Sequence, residues 1–523
     1  MAVVWAQPSA SETGVADVRV AIADDNSDAV TVRTTPPTPS PPSDAASVAA
    51  RTGTAAAFLA DGADPRGVVV EFTATPGIVP DAALAVAARS ALSGTATQAG
   101  STVLASVLPN GALVPAPDQR QRTAVAAQNG LSPIVVAPGS GGVDPAPAGV
   151  VEAATLDEAF AAVTGTQAEP LPRAPRYDPD LQQLVTIAAG QLIDQVRAVA
   201  DDAPPRERMT LQSAVRRASA EMFSDDPFAA YATITLAQQQ SEMAAAERRV
   251  TGPLAAEARS LRRALARQRR SAVDRIDLAA STPLKHVEQF PALADALTWG
   301  TGTMGLLDIA DETLVTARDR RDLRTVAGLI ARADYRLNTY LPLQVEAVRE
   351  IGQVTADDPR SILSLLDAYA ELLGGAGVAV IRALPTGSPG YHRAVAQRDV
   401  WRALPAGGTN QEPTLTRLAA ALSCYIAAHY PTTVAATGMG ATPPDESFFR
   451  AQTSVATSRN EQVAGQLAAT GLDPSFVLWG SRWGLAWATP QPGDGTDMAV
   501  RATGLTYQWY ATIQGQMALA LAP

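Results

Sequence analysis

The spacing of apolar residues changes once along the chain, at a proline-rich segment, and this change constrains the fold more than any other feature. Four prolines fall within residues 169–179, a density typical of an extended linker. Before this segment, short β-branched runs alternate with helical runs, whereas after it the apolar residues follow helical periodicity almost everywhere. We therefore predict an α+β arrangement, with an α/β domain at residues 15–165, a linker at residues 166–179 and a large all-α region after it.

The all-α region is predicted to divide once more. Residues 384–391 hold two prolines and two glycines, which end helices, so we expect one helical region at residues 180–384 and a second at 385–523. No fixed-length repeat is present, which argues against a regular solenoid. The apolar periodicity predicts helices near residues 181–199, 206–223, 227–249, 253–280, 304–320, 323–340, 358–373, 411–429, 444–469, 473–488 and 498–520.

The α/β domain alternates between strand and helix patterns. Residues 15–23 and 29–34 flank a polar turn and predict a β-hairpin. The patterns that follow predict helices at residues 44–60, 82–92, 118–127 and 156–160, and strands at residues 68–72, 103–108, 133–136 and 150–151. A Pro-Asn-Gly turn follows the strand at 103–108, so this strand, the next helix and the next strand predict a crossover unit.

The residues around this turn resemble a known family. The run VLPNGAL at residues 107–113 is similar to the V-L-P-x-G-G-L sequence of the Lon (S16) proteolytic domain, with Ala112 in place of the second glycine. The order of predicted elements, the glycines at 77 and 94 and the helix at Thr155 are similar to the same domain. The resemblance implies the α/β fold of that domain, which is ribosomal S5 domain 2-like. The whole plan resembles secreted or membrane-associated Lon-like proteins of archaea, in which helices follow the domain and no ATPase module is present.

The residues that would carry peptidase chemistry are missing from the matching positions. Lon peptidases use a serine nucleophile and a lysine base, and the alignment of Gly77 and Gly94 places these two positions on Val79 and Ala116. Another alignment cannot supply the base, because residues 1–284 contain no lysine and no histidine. The resemblance therefore implies a non-catalytic serine protease homologue. The alternative is an ATP-independent serine-type peptidase of the same family that works through other residues.

Charge and composition exclude several other classes of function. The net charge of −11 argues against a nucleic-acid-binding protein, which normally carries a basic surface. Cys424 is the only cysteine, and the histidines at 286, 392 and 429 lie far apart, so no metal site is expected. No glycine-rich phosphate-binding motif is present. We expect no cofactor.

One predicted helix carries an unusual number of arginines. Its candidate interaction residues are Arg259, Arg263, Arg267 and Arg270. They form either a solvated helix face or a docking surface for an acidic partner or an anionic membrane surface.

A second candidate interaction surface is aromatic. Trp479, Trp483 and Trp487 recur every four residues and share one face of a predicted helix. They either pack in the core against the C-terminal helix or form an exposed surface that contacts a protein or a carbohydrate.

The first residues of the chain bear on its location. Residues 1–14 are expected to be a terminal segment or the remnant of a signal sequence, with a mature start between Ala6 and Ala10. No run of 18 apolar residues occurs, so we expect membrane contact only peripherally or through a missing segment. With the resemblance, these features predict an extracytoplasmic scaffold or assembly protein that binds a protein partner or itself.

Overall fold

A computed structural model describes residues 1–6, 13–24, 31–35, 45–73, 78–116, 118–138, 148–167, 176–388, 390–436, 446–489 and 498–522. This part of the chain is mostly helical, and its strands all lie within the first 152 residues. The predicted α+β class with a large helical region is therefore confirmed.

The N-terminal α/β region contains ten short strands and four helices in the part that is described. These are β1 (Ala2–Ala6), β2 (Thr13–Asp17), β3 (Val20–Asp24), β4 (Thr31–Thr35), α1 (Ala45–Asp61), β5 (Val68–Thr73), α2 (Asp81–Ser93), β6 (Thr102–Val103), β7 (Ala105–Val107), β8 (Leu113–Pro115), α3 (Gln119–Gln128), β9 (Ile134–Val136), β10 (Val150–Glu152) and α4 (Leu156–Thr164).

The helical region follows. Its elements are α5 (Pro179–Ala200), α6 (Pro205–Phe223), α7 (Pro227–Arg249), α8 (Leu254–Ala280), α9 (Gln289–Thr316), α10 (Arg320–Tyr335), a π-turn (Arg336–Tyr340), α11 (Leu341–Glu350), α12 (Pro359–Ala383), α13 (Tyr391–Ala403), α14 (Gln411–Ala436), α15 (Glu446–Ala469), α16 (Ser475–Ala488) and α17 (Met498–Ala520).

The first sheet corrects the predicted hairpin of residues 15–23 and 29–34. β5 lies between β3 and β4, antiparallel to β3 and parallel to β4. β5 is the most apolar of the three, with Val70 and Phe72 buried, whereas the residues of β3 are half-buried or exposed. The apolar strand takes the central place because there both of its edges are paired and its side chains are covered.

The stretch predicted as one strand at 103–108 forms two. β6 joins the parallel sheet β10-β9-β6, and β7 pairs instead with β8 as an antiparallel hairpin. The predicted Pro-Asn-Gly turn makes this hairpin, and Gly111 adopts the left-handed conformation (φ +78°) that favours glycine. β8 was not predicted, because three residues next to a turn give too short a pattern.

The first strand is part of the folded unit. β1 pairs with β2 in antiparallel register, and the amino group of Met1 donates to the carbonyl oxygen of Val18 at 3.3 Å. Val3 is fully buried, and Ala2 packs with Leu104 and Ile134. Residues 2–6 therefore do not form the separate terminal segment that the sequence predicted for residues 1–14.

Several helices begin at an Asp-Pro pair. Asp178, Asp226 and Asp358 each accept a hydrogen bond from a backbone N–H of the first turn, and proline follows each of them at the first helical position. The carboxylate satisfies N–H groups that have no helical partner, and proline has no N–H to leave unpaired. These caps explain why α5, α7 and α12 begin where the sequence predicts.

Helix α9 lies at the centre of the helical region, in contact with α8, α10, α11, α13, α14 and α17. Its residues from Gln289 to Leu307 are buried on nearly every face, which is expected of a helix surrounded by others. An 18-residue window of α12 has a mean hydropathy of 1.4 and passes the length and polarity test for a membrane span, but 67% of that window is buried inside the protein.

One hydrophobic core joins the predicted domains. It runs from Val3 in β1 to Leu521 after α17. α1 packs against α12 and α17, and α14 packs against α12 across the boundary predicted at 384–385. A partly buried ion-pair network links Asp157 of α4 with Arg89 of α2 and Arg459 of α15. The predicted linker lies mostly outside the described residues, and the regions on its two sides share their packing.

Candidate functional site

The positions matched to the peptidase serine and lysine are apolar and buried. Val79 lies just before α2 and is 3% exposed, and Ala116 lies between β8 and α3 and is 5% exposed. Neither side chain can attack a carbonyl or accept a proton. The two positions contribute to packing between the first helices and strands.

The polar groups around these positions hold the backbone together. Asp81, the first residue of α2, accepts a hydrogen bond from the N–H of Val107 at 3.0 Å. Burial raises the pKa of Asp81 to about 6. The Arg122 guanidinium donates to the carbonyl oxygen of Ile78 at 3.1 Å. Asp81 thus links α2 to β7, and Arg122 links α3 to the residues before α2.

The arginine face of α8 is accessible. Arg259, Arg263, Arg267 and Arg270 are all exposed, and their spacing of four, four and three residues places them along one side of the helix. None of them forms an ion pair within the described ranges, whereas Arg269 of the same helix pairs with Asp308 at 2.6 Å. Both predicted interpretations of this face, solvated or docking, require this exposure.

The tryptophan stripe on α16 is part of the core, so the exposed-surface interpretation is wrong. Trp479, Trp483 and Trp487 are 5%, 3% and 2% exposed. Trp487 packs edge-on against Tyr507 of α17 with ring centres 5.1 Å apart, and its indole N–H donates to a carbonyl of α7 at 2.9 Å. Large apolar rings gain more from burial than from a place in solvent, and neighbouring helices cover all three.

These rings border a cleft between α9, α11, α16 and α17, which we call the aromatic cleft. It is narrow, with about 40 Å³ open to a water-sized molecule. Its walls include Trp299, Trp479, Trp483, Tyr507 and Tyr510. Trp299 of α9 stacks on Tyr507 with ring centres 4.8 Å apart. The indole N–H groups of Trp479 and Trp483 have no hydrogen-bond partner among the described residues.

One carboxylate enters the aromatic cleft. Asp295 of α9 is half-buried, and its side chain makes no hydrogen bond or ion pair to any residue that the structure describes. Burial raises its pKa to about 7. The cleft therefore presents aromatic faces and one acid that changes charge near neutral pH.

A second cavity lies on the other side of Trp299, Tyr507 and Tyr510, and we call it the arginine cavity. It is small, with about 20 Å³ open to a water-sized molecule, which is room for about one water, and Arg336 and Arg393 line it. Arg336 is 3% exposed and lies 5.2 Å from the centre of the Trp299 ring in a cation–π arrangement. The residues that line the arginine cavity come from α9, the π-turn, α13, α14 and α17, which are far apart in the sequence. No local motif therefore predicts this site.

The π-turn explains how Arg336 reaches this cavity. Helices α10 and α11 form one continuous helical path in which the N–H of Leu341 bonds to the carbonyl of Arg336, five residues earlier. Pro342 follows directly, and proline cannot donate the next helical hydrogen bond and crowds the preceding turn. The widened turn re-aims Arg336 and Tyr340 into the core, and π-turns of this kind often occur at functional sites.

No protein-family model matches the chain, and no curated protein is significantly similar to it. Its function is therefore inferred from its own residues.

Proposed function

We propose that this protein is a non-catalytic Lon (S16)-like protein that serves as a binding or assembly scaffold. The proposal rests on the residues found at the two positions that match the peptidase serine and lysine. Val79 and Ala116 are apolar and buried, so the serine and the base are missing and solvent does not reach the positions they would occupy. A peptidase needs a nucleophile that its substrate can approach.

The attachment of the α/β region to the helical region supports a scaffold role. A scaffold has to hold its surfaces in fixed positions, and the packing of α1 on α12 and α17 holds the two regions together. Here Arg459 of α15, itself 3% exposed, pairs with Asp157 of α4. We propose that the exposed arginine face of α8 contacts an acidic protein partner or another copy of the chain, outside the cytoplasm.

One pair of residues favours the alternative of a serine-type peptidase. The Ser106 hydroxyl lies near Asp81, whose raised pKa would suit a proton acceptor near neutral pH. Against this, Asp81 already accepts the N–H of Val107 and is buried at the start of α2. A carboxylate occupied in this way is poorly placed to receive a proton from an attacking serine.

The experiment incubates the full chain with unfolded casein and with a fluorophosphonate probe that labels activated serines. We expect no cleavage and no labelling. Ser106→Ala serves as the matched variant, and trypsin as the active control. Cleavage or labelling of the wild type that disappears in Ser106→Ala would establish the peptidase alternative and overturn the proposal.

A further inference from the structure

One carboxylate in the wall of the aromatic cleft lacks a counter-charge. Asp295 of α9 lines the cleft, and within the ranges that the structure describes its side chain makes no hydrogen bond or ion pair. Burial raises the pKa of this carboxyl to about 7, and no arginine or lysine of the described chain offsets the effect. A carboxylate withdrawn from water without a partner costs folding free energy, and asparagine would fill the same space without that cost. Stability alone therefore does not explain an acid at this place.

A second oxygen acceptor lies in the same wall. Gln514 of α17 is 2% exposed, and its Oε1 atom has no hydrogen-bond partner among the described residues. The indole N–H groups of Trp479 and Trp483 on α16 also lack partners there, so neither of them donates to Asp295 or to Gln514. The acceptors on α9 and α17 therefore require a donor that the described chain does not supply.

The size of the cleft restricts what this donor can be. About 40 Å³ is open to a water-sized molecule, which is room for about two or three such groups. The rings of Trp479, Trp483 and Tyr510 border this space, and the electrons of aromatic rings attract cations. An ammonium ion is close to water in size, carries the missing positive charge and donates hydrogen bonds in every direction.

We propose that the aromatic cleft binds a small primary ammonium ion, either ammonium itself or methylammonium. Its N–H groups donate to the Asp295 carboxylate and to Oε1 of Gln514, and the surrounding rings attract its charge. Water that shares the cleft accepts from the indole N–H groups. The cleft is separate from the Val79 and Ala116 positions, so the proposal does not depend on the function proposed above.

The experiment titrates the full chain with ammonium, methylammonium and tetramethylammonium chloride at about pH 8, each at constant ionic strength against sodium chloride. Binding is measured by calorimetry and by the rise in melting temperature that a ligand of the folded state produces. We expect saturable one-to-one binding of ammonium or methylammonium, and the tighter of the two identifies the ligand. Tetramethylammonium should not bind, because it has no N–H group and is larger than the open space. Binding of neither primary ion, or equal binding of tetramethylammonium, would overturn the proposal.

Variants test the two acceptors. Asp295→Asn keeps the shape of the side chain and removes its charge, so it should fold and should weaken binding about tenfold or more. Gln514→Met removes the second acceptor at similar size and should weaken binding about fivefold. Glu312→Gln changes the net charge as Asp295→Asn does, but it is exposed on α9 outside the cleft and should leave the affinity unchanged. Equal affinity in the wild type and Asp295→Asn would overturn the proposal.

The pH dependence of binding gives a second readout, because a proton and the ammonium ion compete for Asp295. The affinity should rise about tenfold between pH 6 and pH 8, as the carboxyl loses its proton. The other titratable groups in the cleft wall are Tyr507 and Tyr510, which burial keeps neutral over this interval. Arg336 and Arg393, on the far side of these tyrosines, stay charged. An affinity that is the same at both pH values would show that Asp295 does not hold the ion, and would overturn the proposal.

Discussion

In the helical region, a few charged side chains next to the core affect the free energy of unfolding more than the many charged side chains on the surface. Exposed arginines such as Arg263 are screened by water and salt, so each contributes little to stability. Asp295 and Arg336 lie at the edges of cavities in the core, and neither has an opposite charge paired with it among the described residues. Their protonation and their partners therefore affect the stability of the whole region.

Asp295 makes a testable contribution to pH dependence. Its pKa is about 7 in the folded protein against an ordinary value of 3.8. The folded state therefore holds this proton more tightly than the unfolded chain, and stability falls as pH rises from about 4 to about 7. Asp295→Asn removes this contribution. The melting temperature of the variant, relative to that of the wild type, should therefore rise as the pH increases from about 4 to about 7.

The control for this effect is Glu312→Gln on the exposed side of the same helix α9. Glu312 lies outside the aromatic cleft and is exposed, so this variant shows whether loss of any carboxyl on α9 gives the same change in melting temperature. The groups facing Asp295 are the tyrosines at 507 and 510, which do not ionise below pH 7. If the plots of melting temperature against pH are parallel for the wild type and Asp295→Asn, the raised pKa of Asp295 is contradicted.

At the scale of elements, the backbones of α16 and α17 approach each other closely. A Cβ atom on Gly484 would lie 2.5 Å from the carbonyl oxygen of Gly504, and one on Gly504 would lie 2.6 Å from that of Gly484. Both contacts are with backbone, which cannot rotate away. Glycine at these two positions therefore sets the distance between the helices that carry the aromatic cleft.

Substitution of these glycines should be costly. Gly484→Ala and Gly504→Ala should each lower the free energy of unfolding by about 1–3 kcal/mol, the usual cost of overpacking. Gly190→Ala in α5 is the matched control, because no atom of the described residues lies within 4 Å of its Cβ position. It should raise stability by about 0.5–1 kcal/mol, since alanine favours helix. Chemical denaturation measures all three, and equal effects would show that the close approach is unimportant.

The arginine face of α8 gives a second prediction at this scale. Reversal of Arg263, Arg267 and Arg270 to glutamate should abolish self-association or binding of an acidic partner if the face docks. The wild-type association should weaken strongly between low and high salt. Sedimentation at both salt concentrations measures this for self-association.

The matched control reverses Arg216, Arg324 and Arg382, three exposed arginines on other helices. If this variant and the α8 variant change the association to the same extent, the arginine face of α8 is a solvated surface and not a docking surface.

The sequence predicts elements well where their ends are set by local signals. The ends of α7 and α8 agree with the predicted helices to within one residue, because the Asp226-Pro227 cap and the Gly252-Pro253 break act over a few residues. The first half of α9 was missed because residues buried on nearly all faces show no polar side. The central place of β5, the π-turn and the two cavities depend on residues far apart in the chain, which local patterns do not show.

At the scale of the whole molecule, the predicted domains share one hydrophobic core, so each of them is expected to be less stable without the other. Helix α1 contributes a buried face to α12 and α17, and Arg459 covers Asp157. If residues 1–167 are separated from the rest, these apolar surfaces and this carboxylate meet water. The energy of packing them is then lost to both fragments.

We therefore expect residues 1–167 alone to melt at a lower temperature, and less cooperatively, than the full chain. Addition of residues 176–522 as a separate fragment should restore part of the loss, because the same surfaces can associate again. Circular dichroism during heating measures both effects. A fragment 1–167 that melts as sharply and at the same temperature as the full chain would instead support an autonomous domain.

The position of α17 has a consequence for synthesis on the ribosome. This helix contacts α1, α9, α14 and α16, yet it is the most C-terminal element of the described chain. Until it leaves the exit tunnel, the faces of Trp299 and Trp487 that it covers stay open to water. A nascent chain that has not yet released α17 therefore leaves these aromatic surfaces uncovered, and at this stage chaperones would engage it and aggregation would compete with folding.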